Sequence, residues 1–267
     1  MARDECFYHA ALVINKSIKQ GSKTEDQKAR VLLKKYGSFE EIFRSFSLDK
    51  KDFSKIKKAI DKVPFDFSIT TVNDPDYPLK DIQYASPALY TRGNKDLLKN
   101  SSIAVVGTRK LKYQQDIDDG NSVMKRLLAK DYTIVSGLAF GCDALAHKYA
   151  VNNNGKTIAV LGTPLKKPSG NNKDLEEMIG EKHLVVSQYP TGSATYPSYF
   201  AHRNITTVGL SKEGIVVMLS PDKSGTQHAI RECIKQEKQL YILDSNLDRG
   251  FRWTDKLEDS YKVVYRR

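Results

Sequence analysis

Glycine, hydroxylated and basic residues recur wherever a short apolar segment of this chain ends. One such segment runs into GTRK at 107–110, a second into SGLAFG at 136–141, and a third precedes KSGT at 223–226. Glycines let a backbone approach a ligand closely, N–H groups at a helix start donate to anions, and a guanidinium matches phosphate geometry. Any one of these loops could be only a tight turn, but the three together favour a phosphate-binding site.

The predicted site takes its residues from these three loops and from an arginine further along the chain. Arg203 lies in an otherwise apolar segment, where a cation needs an anionic partner. That partner is either a bound phosphate or a carboxylate of the protein, and the sequence leaves both open. The residues predicted on this basis are Gly107, Thr108, Arg109, Lys110, Ser136, Gly137, Ala139, Gly141, Arg203, Lys223, Ser224, Gly225 and Thr226.

Residues suited to bond chemistry are sparse. Asp143 and His147 have i, i+4 spacing, but no nucleophile motif accompanies them, so we predict a helix cap and a hydrogen-bonded side chain. Cys142 is predicted to be a packing residue. The three cysteines are far apart and have no metal-ligand spacing, which fits a reducing cytoplasm. The sequence predicts a binding protein rather than an enzyme, with no cofactor and no metal.

A parallel sheet would bring the three loops together. Six apolar segments rich in β-branched residues alternate with stretches of helical length; they span 103–107, 132–136, 156–161, 183–187, 214–218 and 239–243. Continuous apolar runs of this kind are typical of strands buried on both faces. We therefore predict an α/β fold with a Rossmann-like, doubly wound and mostly parallel sheet, whose strand ends share one edge.

The pattern before this region is helical. Thr24 precedes a helix-forming stretch and is predicted to be its N-cap. Ser38 stands three residues before Glu41, which is the spacing of a capping box.

Three units follow from these patterns. Residues 1–65 are predicted to form a small all-helical domain, and residues 66–100 a connecting segment packed on the core. Residues 101–267 are predicted to form the Rossmann-like domain, in which the tail after Gly250 adds an edge strand.

The charge balance favours a polyanionic partner. The chain has 267 residues, with 43 Lys and Arg against 32 Asp and Glu, a formal net charge of +11. Excess positive charge attracts nucleic acid, although a lysine-rich solvated surface has the same composition. No apolar run is long enough for a transmembrane helix, and the start does not resemble a signal peptide, so we expect a cytoplasmic protein without a membrane partner.

Five motifs, in unbroken order over about residues 75–245, resemble the DNA-processing protein A (DprA, also called Smf) family. VVGTRK is similar to the family's VGSR turn, and YPLKDIQYASPALYTRG to its lead-in. SGLAFGCDALAH, FAHRNITTVGLS and SGTQHAIRECIKQ resemble three further family segments. The matching residues in these three are Ser136, Gly137, Ala139, Gly141, Asp143, His147, Phe200, Arg203, Asn204, Leu210, Ser211, Ser224 and Gly225.

The resemblance implies a single-stranded DNA-binding protein that acts as a homodimer and passes DNA to a RecA-type recombinase during DNA uptake. It adds Asn204 to the predicted DNA-binding residues, and it implies that the N-terminal helices are similar to a SAM-like or helix-hairpin-helix region. The chain departs from the family pattern at Gln188, Ile205, Met218 and Ala229, where the family has Glu, Arg, an acidic residue and Thr. These departures indicate a divergent member.

Two other functions are compatible with the same fold. A sensor that binds a small nucleotide is the main alternative, because related Rossmann-like domains hold nucleotide-derived ligands. A phosphoribohydrolase ranks last, because the PGGxGTxxE motif of that group corresponds here to PDKSGTQHA, which lacks the double glycine and the glutamate.

Overall fold

The predicted apolar segments form the strands of one large sheet. The computed structural model describes residues 2–48, 51–170, 172–257 and 260–266. The strands are β1 (Ser68–Thr71), β2 (Ala88–Gly93), β3 (Ser102–Val106), β4 (Thr133–Ser136), β5 (Thr157–Leu161), β6 (Leu184–Ser187), β7 (Ile215–Val217), β8 (Leu240–Leu243) and β9 (Tyr261–Val264). Strands β3 to β8 correspond to the six segments predicted from the sequence.

The strand order makes the sheet doubly wound. It runs β1-β2-β6-β5-β4-β3-β7-β8-β9. All neighbours from β6 to β9 are parallel, whereas β1–β2 and β2–β6 are antiparallel. The chain winds from β3 to one side through β4, β5 and β6, and then to the other side through β7 and β8. The order therefore reverses between β3 and β7, which is where ligands bind in open α/β sheets. The prediction of a doubly wound, mostly parallel sheet is confirmed.

Helices cover both faces of the sheet. They are α5 (Gln114–Ala129), α6 (Cys142–Asn152), α7 (Lys173–Lys182), α8 (Pro197–His202), α9 (Asn204–Gly209), α10 (Thr226–Lys235) and α11 (Ser245–Asp248). Alternate residues of β3 enter different hydrophobic clusters, because successive side chains of a strand point to opposite faces. Val105 packs with residues of α5 and α6, and Val106 with residues of α9 and α10. The strands are thus buried on both faces.

The N-terminal region is helical, as predicted. It contains α1 (Ala2–Ile14), α2 (Lys23–Tyr36), α3 (Phe39–Ser45) and α4 (Ser54–Asp61). The Ser38 hydroxyl accepts a hydrogen bond from the Glu41 backbone N–H at 3.1 Å, which confirms the predicted cap of α3. The predicted cap of α2 is wrong: Ser22, not Thr24, accepts from the Glu25 N–H at 3.3 Å, because the chain is still extended at Ser22 and already helical at Lys23.

The helical region and the sheet share apolar contacts. Leu12, Leu33 and Phe39 belong to the same buried cluster as Leu161 and Val185 of the sheet. The segment after the helices contributes β1 and β2 to the sheet edge, and β9 forms the opposite edge, as predicted for the tail. The domain boundaries at 65 and 100 stay predictions. None of the helices in the described ranges is long and apolar enough to cross a membrane.

Candidate functional site

A cavity of about 970 Å³ opens at the point where the strand order reverses. Its walls are the loops that follow β3 and β7, the starts of α6 and α10, and part of α8 and α9. Of the predicted residues it is lined by Gly107, Thr108, Arg109, Lys110, Ala139, Arg203, Asn204, Lys223, Ser224, Gly225 and Thr226. The tertiary structure therefore brings the GTRK and KSGT loops to one site, together with one residue of SGLAFG.

Backbone hydrogen bonds hold the loop after β3 in place. The Thr108 N–H donates to the Leu219 carbonyl at 2.7 Å, and the Cys142 N–H donates to the Thr108 carbonyl at 3.1 Å. Gly141 has φ +73°, and a Cβ there would lie 2.3 Å from the Thr108 carbonyl oxygen. The glycine at 141 is needed because two loop backbones meet at that point.

The loop after β7 leads into a helix start without acidic residues. The Ser224 hydroxyl accepts from the Thr226 N–H at 3.2 Å and donates to the Thr226 hydroxyl oxygen at 2.9 Å. No Asp or Glu occupies the first turn of α10. The positive end of the helix dipole therefore faces the cavity without a competing carboxylate, which favours an anionic ligand.

Basic side chains outnumber acidic ones in the cavity wall. The basic residues are Arg109, Lys110, Lys112, Arg203, Lys223 and Arg249, and the acidic residues are Asp116 and Asp143. Arg249 pairs with Asp116, and the Arg203 guanidinium lies beside Asp143. Within the described ranges the other four basic side chains have no carboxylate partner, so the cavity carries uncompensated positive charge.

Arg203 lies at the floor of the cavity rather than at its mouth. It is 4% exposed, and its Nη1 donates to the Val160 carbonyl at 2.7 Å. A Cβ on Gly137 would lie 1.6 Å from that Nη1, so glycine makes room for the guanidinium at the end of β4. Burial raises the pKa of Asp143, and the nearby Arg203 cation offsets part of this effect. Asp143 supplies an opposite charge near Arg203, although within the described ranges no ion pair of 4 Å or less joins the two side chains.

The three residues considered for acid–base or nucleophilic chemistry, Asp143, His147 and Cys142, are buried. The His147 Nδ1 lies 2.7 Å from the Thr157 hydroxyl, and burial lowers the pKa of this imidazole to about 3. Asp143 lies in the first turn of α6 and accepts a 3.4 Å hydrogen bond from the Ala139 N–H, which precedes the helix. The predicted cap is wrong, because the N-cap position is Gly141, which has no side chain to accept a hydrogen bond. Burial raises the pKa of the Cys142 thiol to about 12, which leaves it protonated at neutral pH.

Three predicted residues do not line the cavity. Ser136 is fully buried, and its hydroxyl donates to the Val105 carbonyl at 2.6 Å, so it ties β4 to β3. Gly137 and Gly141 act through the spacing of their neighbours, as described above. The SGLAFG loop thus shapes the site more than it contacts the cavity.

The cavity is also lined by residues that the sequence analysis did not place in the predicted site. Lys112 and Tyr113 follow directly after GTRK, so extending that motif by three residues would have found them. Phe200 lies in the FAHRN segment, three residues before Arg203. Arg249 comes from the chain after β8, and no local pattern distinguishes it from a surface arginine.

The four departures from the family pattern lie in three different structural settings. Gln188 is 3% exposed; its amide nitrogen lies 2.9 Å from the His202 Nδ1, and its amide oxygen accepts from the Thr206 hydroxyl at 2.5 Å. A carboxylate at this position could not donate to the imidazole. Ile205 and Met218 are buried in the hydrophobic core. Ala229 lines the cavity.

His202 neither contacts the cavity nor faces solvent. Its Nε2 lies 3.2 Å from the Asp26 carboxylate, and both side chains are buried. Because Nδ1 accepts from Gln188, Nε2 carries the proton that faces Asp26. This setting arises because α2 brings the Asp26 carboxylate against α8.

Comparison with protein families gives one match. The sequence model described as "DNA recombination-mediator protein A" matches residues 68–256. The chain is 36% identical to the DNA processing protein DprA of Streptococcus pneumoniae over 74% of this chain and 69% of that protein. It is 35% identical to the protein Smf of Synechocystis over 67% of this chain, but it spans only 46% of that protein.

Comparison with solved structures agrees. The X-ray structure of Streptococcus pneumoniae DNA processing protein A superposes with a TM-score of 0.69 at 30% identity, covering 85% of this chain and 77% of that one. DNA processing protein A of Helicobacter pylori, whose structure is described as revealing a single-stranded DNA binding mode, has a TM-score of 0.66 at 24% identity. It covers 76% of this chain and 93% of its own, and this likeness concerns the fold.

Proposed function

The chain belongs to the DNA recombination-mediator protein A family, and from this premise we propose that it binds single-stranded DNA in the cavity between β3 and β7. The supporting observation is a set of four basic side chains around that cavity that have no carboxylate partner among the residues the structure describes: Arg109, Lys110, Lys112 and Lys223. Phosphate contacts from lysine and arginine supply most of the affinity of proteins for a nucleic acid backbone. We propose binding rather than catalysis, because the Asp143, His147 and Cys142 side chains are buried and no nucleophile motif accompanies them.

Exposed aromatic rings at the same site favour a single strand over a duplex. Tyr113 is 63% exposed and Phe200 is 38% exposed, although both are large apolar side chains. The Arg109 guanidinium carbon lies 5.9 Å from the centre of the Phe200 ring. Unpaired bases stack on such rings while cations hold the backbone, whereas the bases of a duplex are stacked on one another. A cation beside an exposed ring therefore fits one nucleotide of a single strand.

The test is equilibrium binding of labelled dT oligonucleotides, a duplex of the same length and a free mononucleotide, each over a range of salt concentrations. We expect the single strand to bind most tightly, with affinity falling steeply as salt rises, because released counterions drive binding. Mononucleotide binding as tight as that of the oligonucleotide would favour the small-nucleotide sensor instead.

Replacing one cation of the cavity tests the site itself. Lys223→Ala should reduce the dependence of log K on log salt by about 0.7, the contribution of one contact to a single-stranded phosphate. Lys148→Ala is the matched control, since Lys148 is exposed on α6 and lines no part of the cavity. An unchanged salt dependence for Lys223→Ala would remove the KSGT loop from the proposed site.

Family membership also motivates two finer proposals, transfer of the bound strand to a RecA-type recombinase and assembly as a homodimer. The first predicts faster recombinase filament formation on single strands that this protein has covered. The second predicts a solution mass of about twice the 30.1 kDa chain by light scattering. Each is tested separately from DNA binding.

A further inference from the structure

A second cavity of about 310 Å³ adjoins the first. Its walls are the loops after β4 and β5 and the start of α7. Arg109 and Phe200 line both cavities and so form the ridge between them. Its volume is at the lower end of small-ligand sites, roughly 300–1,000 Å³. A strand held by Arg109 would therefore have room for one base on the far side of this ridge.

The second cavity contains the carboxyl group of Glu176. Glu176 lies in the first turn of α7, and among the described residues its side chain has no hydrogen-bond partner. The nearby Arg92 is occupied, because its guanidinium pairs with Glu177 at 2.5 Å. Burial raises the pKa of Glu176 to about 7. Because this half-buried carboxyl opens into the cavity, a ligand that enters can donate hydrogen bonds to both of its oxygens.

The chemistry of the group defines the ligand. A carboxylate has two oxygen acceptors and no donor, so it pairs best with two adjacent N–H groups. Among the four DNA bases only guanine presents two such donors side by side on its Watson–Crick edge, N1–H and the N2 amino group. That edge is free in a single strand, and proteins read single strands there.

We propose that the second cavity binds a guanine base of the single strand, with N1–H and N2–H donating to the two oxygens of Glu176. Phe140, which is 49% exposed and lines this cavity, provides an apolar surface for the base. This inference rests on the proposed function, because the strand must first be held by the cations of the larger cavity. It adds a preference for guanine to a site whose other contacts, to phosphates and to the faces of bases, do not depend on which base is present.

The test compares three dT oligonucleotides that carry a single central dG, dI or dA. Inosine keeps N1–H and lacks the N2 amino group, so it isolates one of the two donors. We expect the dG strand to bind about tenfold more tightly than the dI and dA strands, within the discrimination of a bidentate base contact. E176Q should abolish this preference while all-dT binding remains, because an amide offers one acceptor and one donor.

The matched control is E181Q, which removes the same charge from an exposed position of the same helix. It should keep the guanine preference. Equal binding of dG and dI strands by the wild type, or an unchanged preference in E176Q, would overturn the inference while leaving DNA binding intact. If the wild type bound none of the oligonucleotides, the proposed function would fail and this inference with it.

The dependence on pH gives a second readout. The charged groups around Glu176 are Lys166 and Arg109 at the cavity, Arg92 on β2 and Glu177 on its own helix. The ionised carboxylate is the form that accepts both donors, so the guanine preference should increase between pH 6 and pH 8. All-dT binding by the same protein serves as the reference at each pH. A preference that did not change over this range would contradict the assigned role of Glu176.

Discussion

At the scale of single residues, two arginines that look alike in sequence have different settings. Arg109 is exposed at the mouth of the larger cavity, beside Phe200. Arg203 is buried at its floor, beside Asp143 and bonded to a carbonyl of β5. The first can contact a ligand without a structural role, whereas the second stabilises the edge of the sheet on which the ligand would rest.

Replacing each arginine with alanine should separate these roles. Arg109→Ala should melt like the wild type and bind oligo(dT) about tenfold more weakly or worse, since a hydrogen bond to a charged group contributes about 1.5–3 kcal/mol. Arg203→Ala should lower the free energy of unfolding by about 1–3 kcal/mol, because it removes the hydrogen bond to the Val160 carbonyl and the positive charge near the buried Asp143.

Thermal melting and oligonucleotide binding measured on the same two variants distinguish the outcomes. If both variants melted and bound like the wild type, the phosphate site would lie elsewhere on the basic surface. A normal melting temperature for Arg203→Ala alone would mean that Asp143 does not depend on this cation.

At the scale of elements, the cavity depends on close contacts between loops that follow different strands. The loop after β3 approaches the start of α6 so closely that position 141 admits no side chain. Gly225, at the start of α10, is different: its φ is −61°, and a Cβ there would meet no atom within 4 Å. The two glycines therefore form a matched pair for testing how this edge of the sheet is built.

Gly141→Ala should lower the free energy of unfolding by about 1–3 kcal/mol from backbone strain alone, and by more from the clash with Thr108. Gly225→Ala should change it by less than about 0.5 kcal/mol. Urea denaturation of the two variants beside the wild type measures both effects. A Gly141→Ala protein as stable as the wild type would show that the two loops can separate freely.

At the scale of the whole molecule, buried imidazoles join the layers. The His9 Nδ1 lies 2.8 Å from the Tyr90 hydroxyl, which links α1 to β2, and His147 links α6 to β5. Burial lowers the pKa of each imidazole to about 3, against an ordinary value of 6.5. Between these values the unfolded chain binds more protons than the folded one, so stability falls as the pH falls.

The expected loss is about 1.4 kcal/mol per pH unit for each histidine below pH 6.5. His147→Gln should make the decline of the urea midpoint between pH 6 and pH 4 shallower. His228→Gln, at an exposed position, should leave the slope unchanged. Parallel slopes for wild type and His147→Gln would show that His147 is protonated without unfolding.

Runs of residues along the chain were sufficient to predict the main architecture. Segments such as IAVVG (103–107) and IAVL (158–161) are apolar without alternation, which is typical of a strand covered on both faces, so the parallel sheet could be predicted. The shared edge of parallel strands then placed GTRK and KSGT together. Sequence reasoning succeeded here because the burial of each strand is set by its own residues.

Contacts between distant segments were decided by the tertiary structure alone. Ser22 and Thr24 are both suitable caps, and Ser22 is the cap because the backbone is extended at Ser22 and helical from Lys23. An isolated arginine in an apolar segment requires an anion, but only packing shows that Asp143 is beside Arg203. Likewise, Glu176 looks like any helical glutamate until the fold turns it into the second cavity, because the position of a side chain relative to other elements is not encoded in its neighbours.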